Sequence, residues 1–277
     1  MARIISSFTR QIFNWVIALA CIGFVGNCRS GELMNAEEYF APAVVELLDS
    51  IQRGDKTTAK ALIDSGVALN SHGNEGVTPL LWLITQKDQQ AVELALTLGA
   101  DPNFPAMVEI NRSGPKPAQP LALIAGNGDN RIFKLLLEHG ANPNSIDQST
   151  GHPAIFNVIT FENTEQFDLL AKNGVDLDIT DRNRANSALY AAEIGKYNLV
   201  YQLLTLGASP NMPSNTGATI AWRIYSAFEK KEKNPAFRIS DDMRKTKELL
   251  IEKGVKFPPL SPQEVRERLA RGESLSE

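Results

Sequence analysis

The chain has 277 residues, 43% of them hydrophobic, so it is long and apolar enough to bury a continuous core. Its formal net charge is −4. Residues 1–28 contain Arg3 and Arg10 and no acid, so the remainder carries about −6. An acidic body argues against a nucleic acid as the partner, because neutralising a phosphate backbone needs clustered Lys and Arg.

The first residues have the build of an export signal. Arg3 and Arg10 precede an apolar run over residues 12–25, which is shorter than the ~20 residues that a membrane-spanning helix needs. The segment resembles a bacterial lipoprotein signal, which implies removal of residues 1–27, lipidation of Cys28 and a periplasmic location on the inner or outer membrane. An uncleaved membrane anchor and plain cleavage remain alternatives. Both cysteines, Cys21 and Cys28, lie here, so the body contains none that could oxidise after export.

The folded body is predicted to begin after a tether over residues 28–42. Helical apolar spacing starts at Ala43 and continues to Ile51, and a second helix is expected over residues 57–64. This first helix pair lacks the Thr-Pro opening found further along the chain, which predicts that it is the N-terminal cap of the body.

One loop motif recurs along the body. Gly99-Ala100-Asp101-Pro102-Asn103 has close copies that begin at Gly140, Gly174 and Gly207, and weaker ones at Gly66 and Gly254. A second landmark, the start of the next helix, recurs with the same period of about 33 residues. These helix starts are Pro79, Pro120, Pro153, Ser187 and Ile220. Two landmarks with one period predict a tandem helix-turn-helix repeat.

The repeated residues resemble a known family. Thr78-Pro79-Leu80-Leu81 resembles the Thr-Pro-Leu-His start of an ankyrin repeat, and residues 135–144 resemble its second helix and exit loop. The resemblance implies an all-α ankyrin-repeat solenoid of about six helix-turn-helix repeats with β-hairpin finger loops. Its repeats over residues 43–260 fall at about 43–72, 73–103, 114–146, 147–180, 181–212 and 213–258, and a short helix and tail follow over 261–277. Leu81, Leu123 and Ile155 stand where the motif has histidine, so apolar packing is expected there.

Two insertions interrupt the period. Eight extra residues precede Pro120 and lengthen one finger over residues 104–116. Its apolar residues either form a contact surface or fold back onto the next finger, and the sequence leaves both open. Fourteen further residues fall within 226–245, where the polar run over residues 229–235 indicates a solvated loop.

The sequence offers no set of catalytic or metal-binding residues. There is no Gly-x-Ser-x-Gly motif, and the three histidines lie in different repeats. His152 is expected to cap a helix, His139 to lie at a helix C-terminus and His72 at a finger tip. Asp176 and Asp178 are turn residues. We therefore expect a protein that is not an enzyme and that needs no cofactor or metal.

Ankyrin repeats bind proteins through finger tips and first-helix residues, and the resemblance carries this role to matching positions. Those positions are Asn74, Glu75, Val77, Thr85, Gln86, Lys116, Ala118, Asn127, Gln148, Ser149, Ile159, Thr160, Arg182, Asn183, Glu193 and Ile194. The long finger adds Phe104, Met107, Val108, Glu109, Ile110 and Arg112. The mixture of polar and apolar side chains suits a protein partner, whereas RNA or DNA would need a basic groove.

Among exported bacterial ankyrin proteins, the chain resembles the immunity partners of type VI secreted lipase effectors, particularly phospholipase D-type toxins. That resemblance implies inhibition through a large interface, with the long finger over the toxin's active-site mouth. One alternative is a periplasmic scaffold or stress-protection protein that supports an enzyme such as a catalase. Another is a signal-anchored protein that assists envelope assembly.

Overall fold

The computed structural model describes residues 35–109 and 114–275. The leader, the lipidation at Cys28 and the finger residues Ile110 and Arg112 lie outside these residues. The described chain is predominantly helical with a few short strands, as expected. None of the helices within these two ranges is long and apolar enough to cross a membrane.

The elements follow one another as short helices joined by turns and fingers. In the N-terminal half they are α1 (Ala36–Tyr39), α2 (Pro42–Gln52), α3 (Lys56–Asp64), a 3₁₀ turn (Asn74–Gly76), α4 (Pro79–Thr85), α5 (Gln89–Thr97), β1 (Ala106–Val108), β2 (Lys116–Ala118), α6 (Pro120–Ile124) and α7 (Asn130–Glu138). In the C-terminal half they are β3 (Ile146–Asp147), β4 (His152–Pro153), α8 (Ala154–Phe161), α9 (Thr164–Lys172), α10 (Ser187–Glu193), α11 (Tyr197–Thr205), α12 (Ile220–Lys233), α13 (Asp241–Glu252) and α14 (Pro262–Ala270).

The chain divides into two compact units. Among the described residues, the first comprises 35–109, 114–123, Asp129–Ala141 and Asp147–Thr150, and the second Ile124–Gly128, Asn142–Ile146 and 151–275. Each unit is built from helix pairs that contact their neighbours, because one pair is too small to bury its own apolar face.

In the first unit α2 packs on α3, α4 on α5, and α5 on both α2 and α7. Its core is apolar and fully buried around Leu47, Leu48, Leu83, Phe133 and Leu136. Strand β1 pairs antiparallel with β2, and Ala118 of β2 lies opposite Asp147 of β3.

In the second unit α8 packs on α9 and α10, α10 on α11 and α12, and α13 on α11 and α12. The core is formed by buried side chains that include Ile155, Phe156, Leu170, Leu203 and Leu250. Ile155 lies at a position where the repeat motif has histidine, and its burial confirms the expected apolar packing.

Polar side chains cap the N-termini of several helices. Thr78, Asp129 and Asn163 each accept a hydrogen bond from a backbone N–H in the first turn of the following helix. Ser261 and Glu264 form a reciprocal capping box at the start of α14. Pro79 and Pro262 occupy first-turn positions, where the missing N–H has no partner to lose.

The exit loops are joined by asparagine and aspartate side chains. Within a loop, Asp101 accepts a hydrogen bond from the backbone N–H of Asn103, as the motif predicts. In the first unit, Asn70 also bonds the next loop, donating to the carbonyl of Gly99 at 3.0 Å and accepting from the N–H of Asp101 at 2.8 Å. In the second unit, Asn144 accepts in the same way from the N–H of Asp176 at 2.7 Å. Consecutive loops are thus linked by polar contacts as well as by packing.

Two boundary predictions were wrong. Part of the predicted tether is folded, because residues 36–39 form α1 and both Ala36 and Phe40 are buried. The predicted solvated loop over residues 229–235 is helical as far as Lys233, so the second insertion lengthens α12 to 14 residues. The Lys and Glu residues in that run favour helix when no proline intervenes, and the helix ends just before Pro235.

Candidate functional site

The long finger packs more of its apolar side chains than exposed loops usually do. Alternation along β1 turns Ala106 and Val108 inward, where they join Leu81 and Ala118 in one buried cluster. Ala118, predicted to be an exposed contact residue, is therefore buried, and that expectation was wrong. Val108 is buried as well, which decides against an exposed contact role for it and in favour of the packed alternative. Met107 lies between them on the half-buried side.

The base of the finger also packs on the preceding repeat. The ring of Phe104 lies 4.8 Å from the ring of His72, and His72 Nε2 is 2.8 Å from the carbonyl oxygen of Pro105. Of the two alternatives for this finger, packing therefore holds for Phe104 and Val108. Phe104 contacts His72 of the preceding repeat, and strand β2 of the finger pairs with β3 of the next finger.

The other predicted contact residues divide by exposure. Those that are exposed are Asn74, Glu75, Glu109, Lys116, Asn127, Gln148, Thr160, Arg182 and Asn183. Those that are half-buried are Thr85, Gln86, Phe104, Met107, Ser149, Glu193 and Ile194. Several serve the fold: Asn74 donates to the carbonyl of Glu38, and Asn183 donates to Asp181 within its finger turn.

Three further expectations were wrong. Val77 is only 1% exposed because it lies at the point where the finger returns to the buried start of α4. Ile159 is fully buried because it lies one helical turn after Ile155, on the core side of α8. His152 does not cap α8, since the N-cap position belongs to Pro153 and no side-chain hydrogen bond closes that end.

Within the second unit, α8 and α10 bring aromatic side chains together. Tyr190 stacks on Phe156 with ring centroids 4.4 Å apart, and the centroid of the His152 ring lies 5.7 Å from that of Tyr190 in an edge-to-face arrangement. The Tyr190 hydroxyl is 2.7 Å from Oγ1 of Thr160. Burial raises the pKa of Tyr190, the hydrogen bond with Thr160 lowers it, and nearby carboxylates raise it further, so the net change is upward. Tyr190 is therefore a neutral hydrogen-bonding group at neutral pH.

The first turns of α12 continue this surface. Arg223 Nη2 donates to Glu193 Oε1 of α10 at 2.5 Å. The rings of Trp222 and Tyr225 lie 5.8 Å apart, and the Tyr225 hydroxyl donates to Glu229 at 3.3 Å. All of these side chains are only partly buried. We call Thr160, Tyr190, Glu193, Trp222, Arg223 and Tyr225 the second-unit patch.

Sequence reasoning found only part of this patch. Thr160 and Glu193 were predicted, but Trp222, Arg223 and Tyr225 were missed because no contact positions were carried into the sixth repeat, and Tyr190 was missed although its repeat was considered. A signal was present: aromatic and arginine residues cluster on the first helices of the last two repeats. Tyr, Trp and Arg are the side chains most enriched where interfaces gain most of their binding energy.

The patch contains no arrangement suited to bond-breaking chemistry. A cavity of about 420 Å³ in the second unit is lined by Lys253, Lys256, Pro258 and Val265 among others, and no acid, His or Cys lines it. Over residues 35–109 and 114–275, no group of His, Cys, Asp or Glu could hold a metal ion. What the patch offers is non-covalent contact.

A family model described as ankyrin repeats, in three copies, matches residues 121–214. The crystal structure of EF0377, an ankyrin repeat protein, superposes with a TM-score of 0.54 at 18% identity, covering 76% of this chain and 98% of that one. This is the ankyrin-repeat fold. Ankyrin repeats are protein-interaction modules, and no enzyme family is indicated.

Two curated proteins are similar over part of the ankyrin repeats. A putative ankyrin repeat protein of Borreliella burgdorferi (strain ATCC 35210 / DSM 4680 / CIP 102532 / B31) is 27% identical over 156 residues, or 55% of this chain and 61% of that protein. The nuclear factor NF-kappa-B p105 subunit of Gallus gallus is 32% identical over 117 residues, or 42% of this chain and 11% of that protein. The matches therefore span less than two thirds of either relative.

Proposed function

We propose that the protein is an exported ankyrin module that binds and inhibits a secreted phospholipase D-type effector, and so acts as an immunity protein. The observation that carries its binding role is the second-unit patch. The export part of the proposal rests on the leader and Cys28, and the choice of effector rests on the resemblance to exported bacterial immunity proteins.

The patch suits a protein partner because it combines large rings with a paired charge. Tyr190, Trp222 and Tyr225 present apolar area with few rotatable bonds, so their ordering on binding costs little conformational entropy. The ion pair between Arg223 and Glu193 fixes the guanidinium before a partner arrives. A few such side chains usually supply most of the affinity of an interface.

Inhibition on this proposal needs no reaction by the ankyrin protein. A standard interface buries about 1,600 Å² in total, enough to cover the mouth of an enzyme's active site. Substrate entry is then blocked for as long as the complex lasts, which depends mainly on its dissociation rate.

The experiment is co-expression with a phospholipase D-type effector directed to the periplasm. We expect the wild-type chain to protect the cells and Trp222→Ala/Arg223→Ala to lose affinity about 30-fold or more, with loss of protection. Tyr201→Ala is the matched control, because Tyr201 is an aromatic side chain 39% exposed on α11 and outside the patch. Circular dichroism checks that each variant is folded.

Two outcomes would count against the proposal. Cells that die with the wild-type chain present would remove the effector as partner. Full protection by Trp222→Ala/Arg223→Ala would remove the patch as the binding surface. An oxidant-sensitive deletion strain with normal effector resistance would instead support a scaffold for an enzyme such as a catalase.

A further inference from the structure

The second insertion gives α12 a surface that the other first helices lack. The first helices α4, α8 and α10 have 7, 8 and 7 residues, whereas α12 has 14. The core side of α12 is buried only through its N-terminal part, at Ile220, Ala221, Ile224 and Ala227. The C-terminal turns of α12 therefore contribute few buried side chains to the core. We look for their role in the face of the helix that points away from the core.

The open side of α12 combines rings with carboxylates. Trp222, Tyr225 and Glu229 follow one another at helical spacing, so they lie along one face. The Tyr225 hydroxyl donates to Glu229, whose negative charge is the largest of the influences that raise the pKa of Tyr225. Glu232 follows Glu229 by three residues in the same helix, so it lies on the same face of α12. We call Trp222, Tyr225, Glu229 and Glu232 the aromatic–acidic strip.

We propose that the aromatic–acidic strip receives a basic side chain, Arg or Lys, of the protein partner. A cation over a Trp or Tyr ring is attracted by the negative face of the ring, and the carboxylates beside it add a charge-assisted hydrogen bond. This inference rests on the proposed function and specifies the chemistry of the partner.

The same helix already binds cations through the ring of Phe228, next to the strip. Lys247 Nζ of α13 lies 4.5 Å from the centroid of the Phe228 ring, and the Arg244 guanidinium lies 5.7 Å from it. Those cations come from the chain's own next helix. The strip offers a comparable ring surface with carboxylates added, and it faces away from the core.

Lys233, one of three lysines in the last turn of α12, competes for the strip. Lys233 Nζ lies 3.3 Å from Glu229, but the Lys233 side chain is 78% exposed and the two residues are one helical turn apart. Exposed pairs of this kind contribute little to stability, so a partner's cation can displace Lys233. Arg223 forms its ion pair with Glu193, so its charge does not neutralise Glu229 or Glu232.

A titration of the full-length chain with an acetylated tri-arginine amide tests the inference. The readout is the chemical shift of the Trp222 indole N–H, assigned by its loss in Trp222→Phe. We expect saturable binding that weakens with added salt, and about tenfold weaker binding by Glu229→Gln/Glu232→Gln. Lys233→Gln should bind the peptide severalfold more tightly, because it removes the competing cation.

A control variant and a control peptide distinguish binding at the strip from non-specific electrostatic attraction. Glu248→Gln/Glu252→Gln removes the same charge from exposed positions of α13 and should bind like the wild type. A citrulline peptide of the same length is neutral and should produce no shift. Equal binding by Glu229→Gln/Glu232→Gln and the wild type, or an equal shift with citrulline, would overturn the inference. Binding of choline without binding of the arginine peptide would point to a lipid headgroup and would overturn it too.

Failure here is distinguishable from failure of the proposed function. The probe is a peptide, so a negative titration leaves protection against the effector untouched. Conversely, if the protection experiment shows that the effector is not the partner, the affinity of the strip for the arginine peptide is still expected.

Discussion

Asp129 joins two neighbouring repeats through one carboxylate. It accepts hydrogen bonds from the backbone N–H groups of Arg131 and Ile132 at the start of α7, and from the side-chain amide of Gln89 on α5. Partial burial acts to raise the pKa of Asp129, but these hydrogen bonds and the charge of Arg131 outweigh it, and the pKa lies below its ordinary value of 3.8. The folded state therefore favours the ionised form.

The sign of the pH dependence follows from that lowered pKa. The ionised Asp129 stabilises the fold above the pKa of the unfolded chain, and this contribution is lost as the pH falls through the lower, folded-state pKa. Asp129→Asn keeps an N-cap acceptor but loses the charge. We expect it to be less stable than the wild type by up to about 1 kcal/mol at pH 7, with the difference shrinking as the pH falls below 3.8 and through the folded-state pKa.

Urea unfolding of both proteins at a series of pH values measures this difference. Asp168→Asn, at an exposed position on α9, controls for general loss of charge. A difference between Asp129→Asn and the wild type that stays constant from pH 7 to pH 3 would contradict the assignment of the effect to the carboxylate.

At the scale of elements, the sequence predicts helices better than it predicts which side of a finger faces the core. The helix starts at Thr78-Pro79 and Asp129 follow from local capping chemistry, which depends on neighbouring residues alone. The inward turn of Val108 depends on the strand pairing between β1 and β2, and two short strands give too little pattern to fix their register. The length of α12 was missed because polar helices and polar loops share a composition.

Gly217 allows the last helix, α14, to pack closely against the sixth repeat. Its φ is 84°, and a Cβ added there would lie 2.2 Å from the carbonyl oxygen of Pro262, at the start of α14. Gly207 also has a positive φ, 109°, but nothing lies within 4 Å of its would-be Cβ. An alanine at Gly207 therefore introduces backbone strain alone, whereas an alanine at Gly217 adds a steric clash with Pro262.

We expect Gly207→Ala to cost about 1–2 kcal/mol from strain alone. Gly217→Ala should cost more, because α14 must also move away, with loss of the hydrogen bond from Arg266 to the carbonyl of Thr216. Urea unfolding gives the stabilities, and limited trypsin cleavage after Arg266 or Arg268 reports release of α14. Equal stability and equal cleavage of the two variants would mean that the close approach to Pro262 does not affect the stability of the fold.

At the scale of the whole molecule, stability is distributed over contacts between neighbouring repeats. In each unit the main contacts between the described helices run within one helix pair or between neighbouring pairs. A repeat protein of this kind behaves as a sum of local stabilities and neighbour terms, so damage is expected to stay near its origin.

Leu250→Ala tests this locality. Leu250 is fully buried on α13, and its truncation should cost about 2–5 kcal/mol. Hydrogen exchange should become faster in α11, α12 and α13 and remain unchanged in α2. Leu48→Ala, at an equally buried position on α2, should give the opposite pattern. Uniform acceleration across the described chain in either variant would show instead that the protein unfolds as a single cooperative unit.

The function of the molecule is less readable from its sequence than its fold. Periodic glycines and capping residues specify helix pairs because those effects are local and recur in each copy. The second-unit patch depends on which side chains three different repeats place side by side. Tyr190 and Arg223 have no motif of their own, so their proximity to Thr160 and Glu193 emerges only from the packing.

The exit-loop amides have a consequence for how such a chain can change in length. Asn70 bonds the loop that begins at Gly99, and Asn144 bonds the loop that begins at Gly174, each by accepting from the backbone N–H two residues after the glycine. When one whole period of sequence is gained or lost, an equivalent donor and acceptor arrive in register at the new junction. When a fraction of a period is gained or lost, these groups no longer meet, so growth in complete modules is the course that keeps every loop joined to its neighbour.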